Sequence, residues 1–198
     1  MNTVAHPPAG WLPSLPRDRL LGEFSLWSAD LANLESDIHR VDAYVDLYHA
    51  DVADGRFAPS FLFFPDQLAR IRKLTAKPIH VHLMVEGDIV LSQIRQFAEA
   101  GADLISVHPE NGLVTDEALA LIRALGREAE VGLRLDTPVA TIRPFADRLS
   151  FVTLLGTAIG VKGQGLSDQA CTRLQQARAI LNTSERNVHT PHTLTAVE

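Results

Sequence analysis

From Glu23 onward, short apolar runs alternate with longer segments in which apolar residues recur every three or four positions. EFSLWS reads as a strand, and DLANLESDIHRV after it reads as a helix, with Asp30 placed to cap it and Leu31, Leu34, Ile38 and Val41 on one stripe. The alternation recurs as YVDLYHAD then PDQLARIRKL, PIHVHL then DIVLSQIRQFAEAG, and DLISVH then TDEALALIRALG. It continues with AEVGLRL then PVATIRPFAD, and LSFVTLL then LSDQACTRLQQARAIL. Six strand–helix units thus fill residues 23–182, and their strands are apolar on both faces. This predicts an α/β fold with a parallel sheet and helices outside it. Residues 1–22, broken by prolines at 7, 8, 13 and 16, predict an extended N-terminal arm, and 183–198 an irregular polar tail.

Two parallel architectures fit this pattern, an open doubly wound sheet and a barrel. The glycine-rich turn of a dinucleotide fold is missing after the first strand, because SLWSAD at 25–30 contains no glycine. The unusual residues gather instead at the C-terminal ends of strands: Ser25, His49 with Asp51, His82, His108, and glycines 160, 163 and 165. The expectation is a (β/α)8 TIM-barrel type, incomplete and truncated to about six βα units. A closed barrel takes eight units and typically ~250 residues, and the polar stretch after Leu181 reads as unable to supply two more. Strands one and six would then carry unpaired apolar edges, which favours a homo-oligomer.

Composition narrows the function classes. With 18 basic and 24 acidic residues, a net charge of −6 and no basic run, a nucleic-acid partner or an anionic membrane surface is not expected. No segment approaches the ~18 apolar residues of a membrane span. The single cysteine, Cys171, excludes an intrachain disulfide framework and thiolate zinc clusters, which suits the cytoplasm. Its place in a helical stripe predicts that it lies in the core.

Side chains two apart on a strand share a face, so His49 and Asp51 point the same way, and His80 and His82 repeat that spacing one strand later. Neighbouring strands lie ~4.8 Å apart, which lets two imidazoles and a carboxylate converge on a divalent cation such as zinc, iron or manganese. The other reading is a set of buried, hydrogen-bonded polar groups at a barrel rim. His108, before Pro109, reads as a supporting group rather than a ligand, and Trp27 as packing. GVKGQG at 160–165 lets the backbone approach an anion, with Lys162 adding positive charge, or is only a turn.

Taken together these segments resemble the ribulose-phosphate 3-epimerase family of phosphate-binding TIM barrels over residues of about 24 to 181. SLWSAD at 25–30 is similar to the family's S-x-L-S-A-D, and HADVADGRFAPS at 49–60 to its H-x-D-x-M-D-G-x-F-x-P-N. HVHLMV at 80–85 is similar to D-V-H-L-M-V, and AGADLISVHPE at 100–110 to A-G-A-D-x-I-x-x-H-x-E. The resemblance implies that His49, Asp51 and His82 bind a divalent cation and that Asp51 doubles as an acid/base. It also implies that Ser25 and His82 contact substrate and that Gly160, Lys162, Gly163 and Gln164 form the phosphate loop. The implied reaction inverts C3 of a ketopentose 5-phosphate (ribulose 5-phosphate to xylulose 5-phosphate) through an enediolate.

The chain departs from the pattern at Ala53, His80, Arg134, Leu155 and Lys162, and it contains no D-G-G or G-S motif like those of the family's last two strands. Without the second aspartate, such a chain is expected to exchange the C3 proton but not invert it. Two alternatives stand beside the epimerase: an epimerase or isomerase for another ketose phosphate, and a non-catalytic sugar-phosphate-binding relative.

Overall fold

The computed structural model describes residues 7, 10–161, 163–183 and 194–197. One parallel sheet runs in chain order through β1 (Glu23–Ser25), β2 (Leu47–Ala53), β3 (Ile79–Met84), β4 (Leu104–Val107), β5 (Glu128–Leu133), β6 (Phe151–Leu155) and β7 (Leu194–Val197). The helices α1 (Leu34–Val41), α2 (Pro65–Ile71), α3 (Gly87–Ala100), α4 (Val114–Ala124) and α5 (Ala170–Thr183) connect the strands. The six predicted units are present, in a curled half-barrel of TIM-barrel type.

Alternation along the buried strands sorts the two faces. Tyr48, Ala50, Val52, Ile79, Val81, Leu83, Ile105, Val107 and Val152 pack with Leu68, Ile94, Phe97, Leu119 and Ile122 of the helices. The residues between them point into the curl and form layers. Leu47, Leu104 and Phe151 make an apolar layer at the N-terminal strand ends. Above it Glu23, His49, His80, Ser106, Glu130 and Thr153 join through side-chain contacts, and nearer the C-terminal strand ends come Ser25, Asp51, His82, His108 and Gly132. Register places His49 opposite His80 and Asp51 opposite His82.

Several expectations change. The segment 183–198 is not wholly irregular, because Leu194–Val197 pairs in parallel with β6. The edge expected on the sixth strand is therefore covered; in LTAV the backbone supplies the ladder, and two of four residues are β-branched. The arm does not extend away from the body. Trp11, Leu12 and Leu15 close the bottom layer, with the Trp11 ring stacked 6.2 Å from Phe151. The connection Val139–Arg148 is a 3-10 segment rather than an α-helix, since Pro144 inside it lacks the N–H and its ring obstructs the preceding turn. Leu31 is 51% exposed, because Asp30 accepts hydrogen bonds from Ala32 N–H and the Asn33 amide in a turn, and α1 begins only at Leu34. Cys171 is exposed: the described buried positions of α5 are Ala170, Arg173, Ala177, Ile180 and Leu181, and Cys171 falls one position off that stripe. No described helix is long and apolar enough to cross a membrane.

Candidate active site and metal centre

The upper layer gathers the residues that the sequence singles out. Strand alternation points His49 and Asp51 of β2 into the curl, with His82 of β3 beside Asp51. His49 Nε2 lies 3.0 Å, and His82 Nδ1 3.3 Å, from the same oxygen of Asp51. The donor atoms of His49, Asp51 and His82 all lie within 4.8 Å of one another. Two imidazoles and a carboxylate suit a divalent cation and leave coordination positions for water or substrate. Ser25, opposite His49 in register, has a buried Oγ with no hydrogen-bond partner among the described residues. A buried hydroxyl left unpaired is costly.

Each titratable group here is set by burial against its neighbours. Burial opposes ionisation of Asp51, but the charge and hydrogen bonds of His49 and His82 outweigh it and hold the carboxyl well below its ordinary range. Burial lowers the pKa of His49, yet Asp51 and Glu23 reverse this and raise it well above the usual imidazole value. Burial pushes His82 down to about 3 despite its hydrogen bond with Asp51. His82 is thus held as the neutral imidazole that a metal requires.

A second row supports the first. His82 Nε2 lies 2.8 Å from His108 Nε2, and the two rings stack. Gly132 faces them, and a Cβ there would meet both rings at 3.2 Å. His108 Nδ1–H donates to Glu110 at 3.3 Å, and Glu110 also accepts from Arg134 N–H at 2.9 Å and from the Thr137 hydroxyl. Arg134 donates to the Phe57 carbonyl at 2.7 Å with its guanidinium 4.0 Å over the Phe57 ring, which tilts against His108. The supporting role expected for His108 matches these contacts.

One layer deeper lies a group that sequence reading missed. Glu23 accepts from His49 Nδ1–H at 3.2 Å and from His80 Nδ1–H at 2.8 Å. His80 Nε2 lies 3.0 Å from both Glu130 and Ser106, and the Thr153 hydroxyl donates to Glu130. Burial opposes ionisation of Glu23, but His49 and His80 more than compensate and pull its pKa below the carboxylate range, whereas burial prevails at Glu130 and raises it. The available signal was parity: Glu23 is two residues before Ser25, and Glu130 two before Gly132.

The loop after β6 sits over the same rim. Gly160 and Gly163 adopt φ of +69° and +76°, conformations that favour glycine. Ser60 Oγ–H donates to the Gly160 carbonyl at 2.8 Å, and a Cβ at 160 would press at 3.0 Å on Ala58 and Pro59. Gln164 is exposed, its Oε1 accepting from Ala158 N–H at 2.9 Å. Lys162 lies outside the described residues.

Fold and site together define an α/β protein of TIM-barrel type with a His/Asp/His donor set at its C-terminal strand ends. The chain belongs to the ribulose-phosphate 3 epimerase family, whose model matches residues 23–191. Ribulose-phosphate 3-epimerase 1 of Cupriavidus necator is 37% identical over 156 residues, which cover 78% of this chain and 64% of that protein. Ribulose-phosphate 3-epimerase of Bacillus subtilis is 34% identical over 155 residues, 78% of this chain and 70% of its own. The chain therefore spans less than two thirds of the length of the Cupriavidus necator relative. Among solved structures, 3-keto-L-gulonate-6-phosphate decarboxylase from Vibrio cholerae superposes with a TM-score of 0.64 at 14% identity, over 82% of this chain and 75% of that one. At that identity the likeness concerns the fold alone.

Proposed function

We propose that this site serves ribulose-phosphate 3-epimerase chemistry, acting on C3 of a ketopentose 5-phosphate. The observation that carries the reading is the convergence of His49, Asp51 and His82 on one point at the strand ends, beside the unpaired hydroxyl of Ser25, in a member of this family. His49, Asp51 and His82 would hold a divalent cation (zinc, iron or manganese), which when bound supplies Lewis-acid stabilisation of negative charge on the substrate oxygens. Asp51 takes the proton from C3: His49 and His82 hold it ionised, and its place beside the cation sets it against the substrate carbon. Ser25 orients a substrate oxygen, and the backbone around Gly160 and Gly163, with Lys162 and Gln164, receives the phosphate. Glu110 is an unsuitable second base, because His108, Arg134 N–H and Thr137 already occupy its carboxylate.

Inversion needs a second proton donor on the opposite face of the sugar, whereas exchange of the C3 proton needs Asp51 alone. The protein, loaded with metal and incubated with ribulose 5-phosphate in heavy water, is therefore expected to incorporate deuterium at C3 faster than it forms xylulose 5-phosphate. NMR reads both rates, and Asp51→Asn is expected to lower exchange by roughly 10²–10⁴-fold. A folded, metal-loaded protein that binds the sugar phosphate but exchanges nothing would favour the non-catalytic binding reading. Self-association into a homo-oligomer belongs to the same proposal.

A further inference from the structure

The deeper polar layer is unusual for its place. Barrel interiors of this type are filled by bulky branched apolar side chains, and buried charges cost free energy unless paired. Here Glu23, His49, His80 and Glu130 come from four different strands and lie within ion-pairing distance of one another in turn, with side-chain exposures of 10%, 2%, 1% and 1%. The layer shares the His49 ring with the candidate metal centre. Its Nε2 faces Asp51 at 3.0 Å, while its Nδ1 faces Glu23 at 3.2 Å.

We propose that Glu23 is the positioning residue for His49, accepting its Nδ1–H and so leaving the Nε2 lone pair directed at the cation that Asp51 and His82 share. The inference rests on the metal reading above. A carboxylate can only accept, so Nδ1 carries a proton toward Glu23, while Nε2, which faces Asp51 at 3.0 Å, exchanges its proton for the cation when the metal binds; a histidine metal ligand needs its other nitrogen held in this way. His80 fixes Glu23 in turn. Its ring is clamped between Glu23 at 2.8 Å and Glu130 at 3.0 Å, which stops the Glu23 carboxylate from rotating away from His49. Glu23, His49 and His80 also have ligand atoms within 4.8 Å of one another. Their contacts, however, already pair Glu23 with both Nδ1 atoms and Glu130 with the remaining nitrogen of His80, so the trio is complete without an ion of its own.

The test is calorimetric titration of Zn²⁺ into the full chain and its Glu23→Leu, Glu23→Gln and His49→Ala variants, each checked for fold by circular dichroism. Leucine keeps the volume and removes the acceptor, so about 10–100-fold weaker binding is expected. Glutamine keeps the accepting oxygen and should bind close to the unaltered protein. Unchanged affinity in Glu23→Leu with loss in His49→Ala would overturn the inference and leave the metal reading standing. Unchanged affinity in His49→Ala would overturn both. A glutamine variant as weak as the leucine one overturns the hydrogen-bond role. Two ions per chain, one of them lost in Glu23→Leu, would make Glu23 a ligand and overturn the positioning role. Should Glu23→Leu fail to fold, the ¹⁵N-histidine spectrum of the zinc-loaded unaltered protein decides. A proton on His49 Nδ1 supports the proposal, and one on Nε2 overturns it.

Discussion

At Glu110 three elements meet in one carboxylate, which accepts from His108 at the end of β4, from Arg134 N–H after β5, and from Thr137 beyond it. Burial opposes its ionisation, but these partners prevail and bring it to about 2, from an ordinary value of 4.5. A carboxyl whose folded pKa lies below its unfolded one stabilises the fold above the unfolded value, and the benefit is lost as pH falls toward the folded one. Glu110→Gln is therefore expected to cost about 1–2 kcal/mol at neutral pH, less than the full shift implies because the side chain is 18% exposed. The gap to the unaltered protein should narrow as pH drops from about 4.5 to about 2. Thermal melts across that range check this, and a gap independent of pH would contradict it. His49, Asp51, His82 and Ser25 were legible in the sequence because strand alternation fixes which side chains share a face. Glu23 and Glu130 were not. A lone glutamate in a strand reads as solvent-facing until the curl of the sheet shows that its face is the interior.

Elements were legible where periodicity is long and local, as in α3 and α4, and less so where tertiary contacts decide. The Pro144 segment has α-helical spacing but 3-10 rather than α-helical hydrogen bonding, and the pattern of apolar residues does not distinguish the two. The arm is the clearer case. Its prolines read as an extended lead, yet Trp11, Leu12 and Leu15 plug the barrel floor formed by Leu47, Leu104 and Phe151. The partners of Trp11 come from strands far along the chain, so nothing in residues 1–22 alone announces them. Trp11 is only 7% exposed, so Trp11→Ala is expected to cost about 3 kcal/mol and to lower the Tm by roughly 6–12 °C. Zn²⁺ affinity should hold, since the plug sits at the N-terminal strand ends and the donor set at the C-terminal ends. Differential scanning calorimetry with and without zinc measures both, and an unchanged Tm would show that the arm contributes no packing energy.

For the whole molecule, the consequence of strand order is an open sheet. Among the described residues β1 pairs with β2 and β7 with β6, and no pairing joins β7 to β1. Each end therefore offers a row of backbone donors and acceptors to another chain. β1 is three residues long and β7 four, short enough to limit runaway pairing but not to remove the attraction. The rim adds apolar surface: Phe61 is 84% exposed, Leu113 96%, Leu166 59% and Phe64 57%. The chain is accordingly expected to self-associate as its concentration rises, with the open edges as the contact. Sedimentation velocity over a wide range of protein concentration tests this. A growing fraction of dimer or larger species supports it, and a single monomeric boundary at every concentration would show that the arm and β7 protect the edges sufficiently on their own.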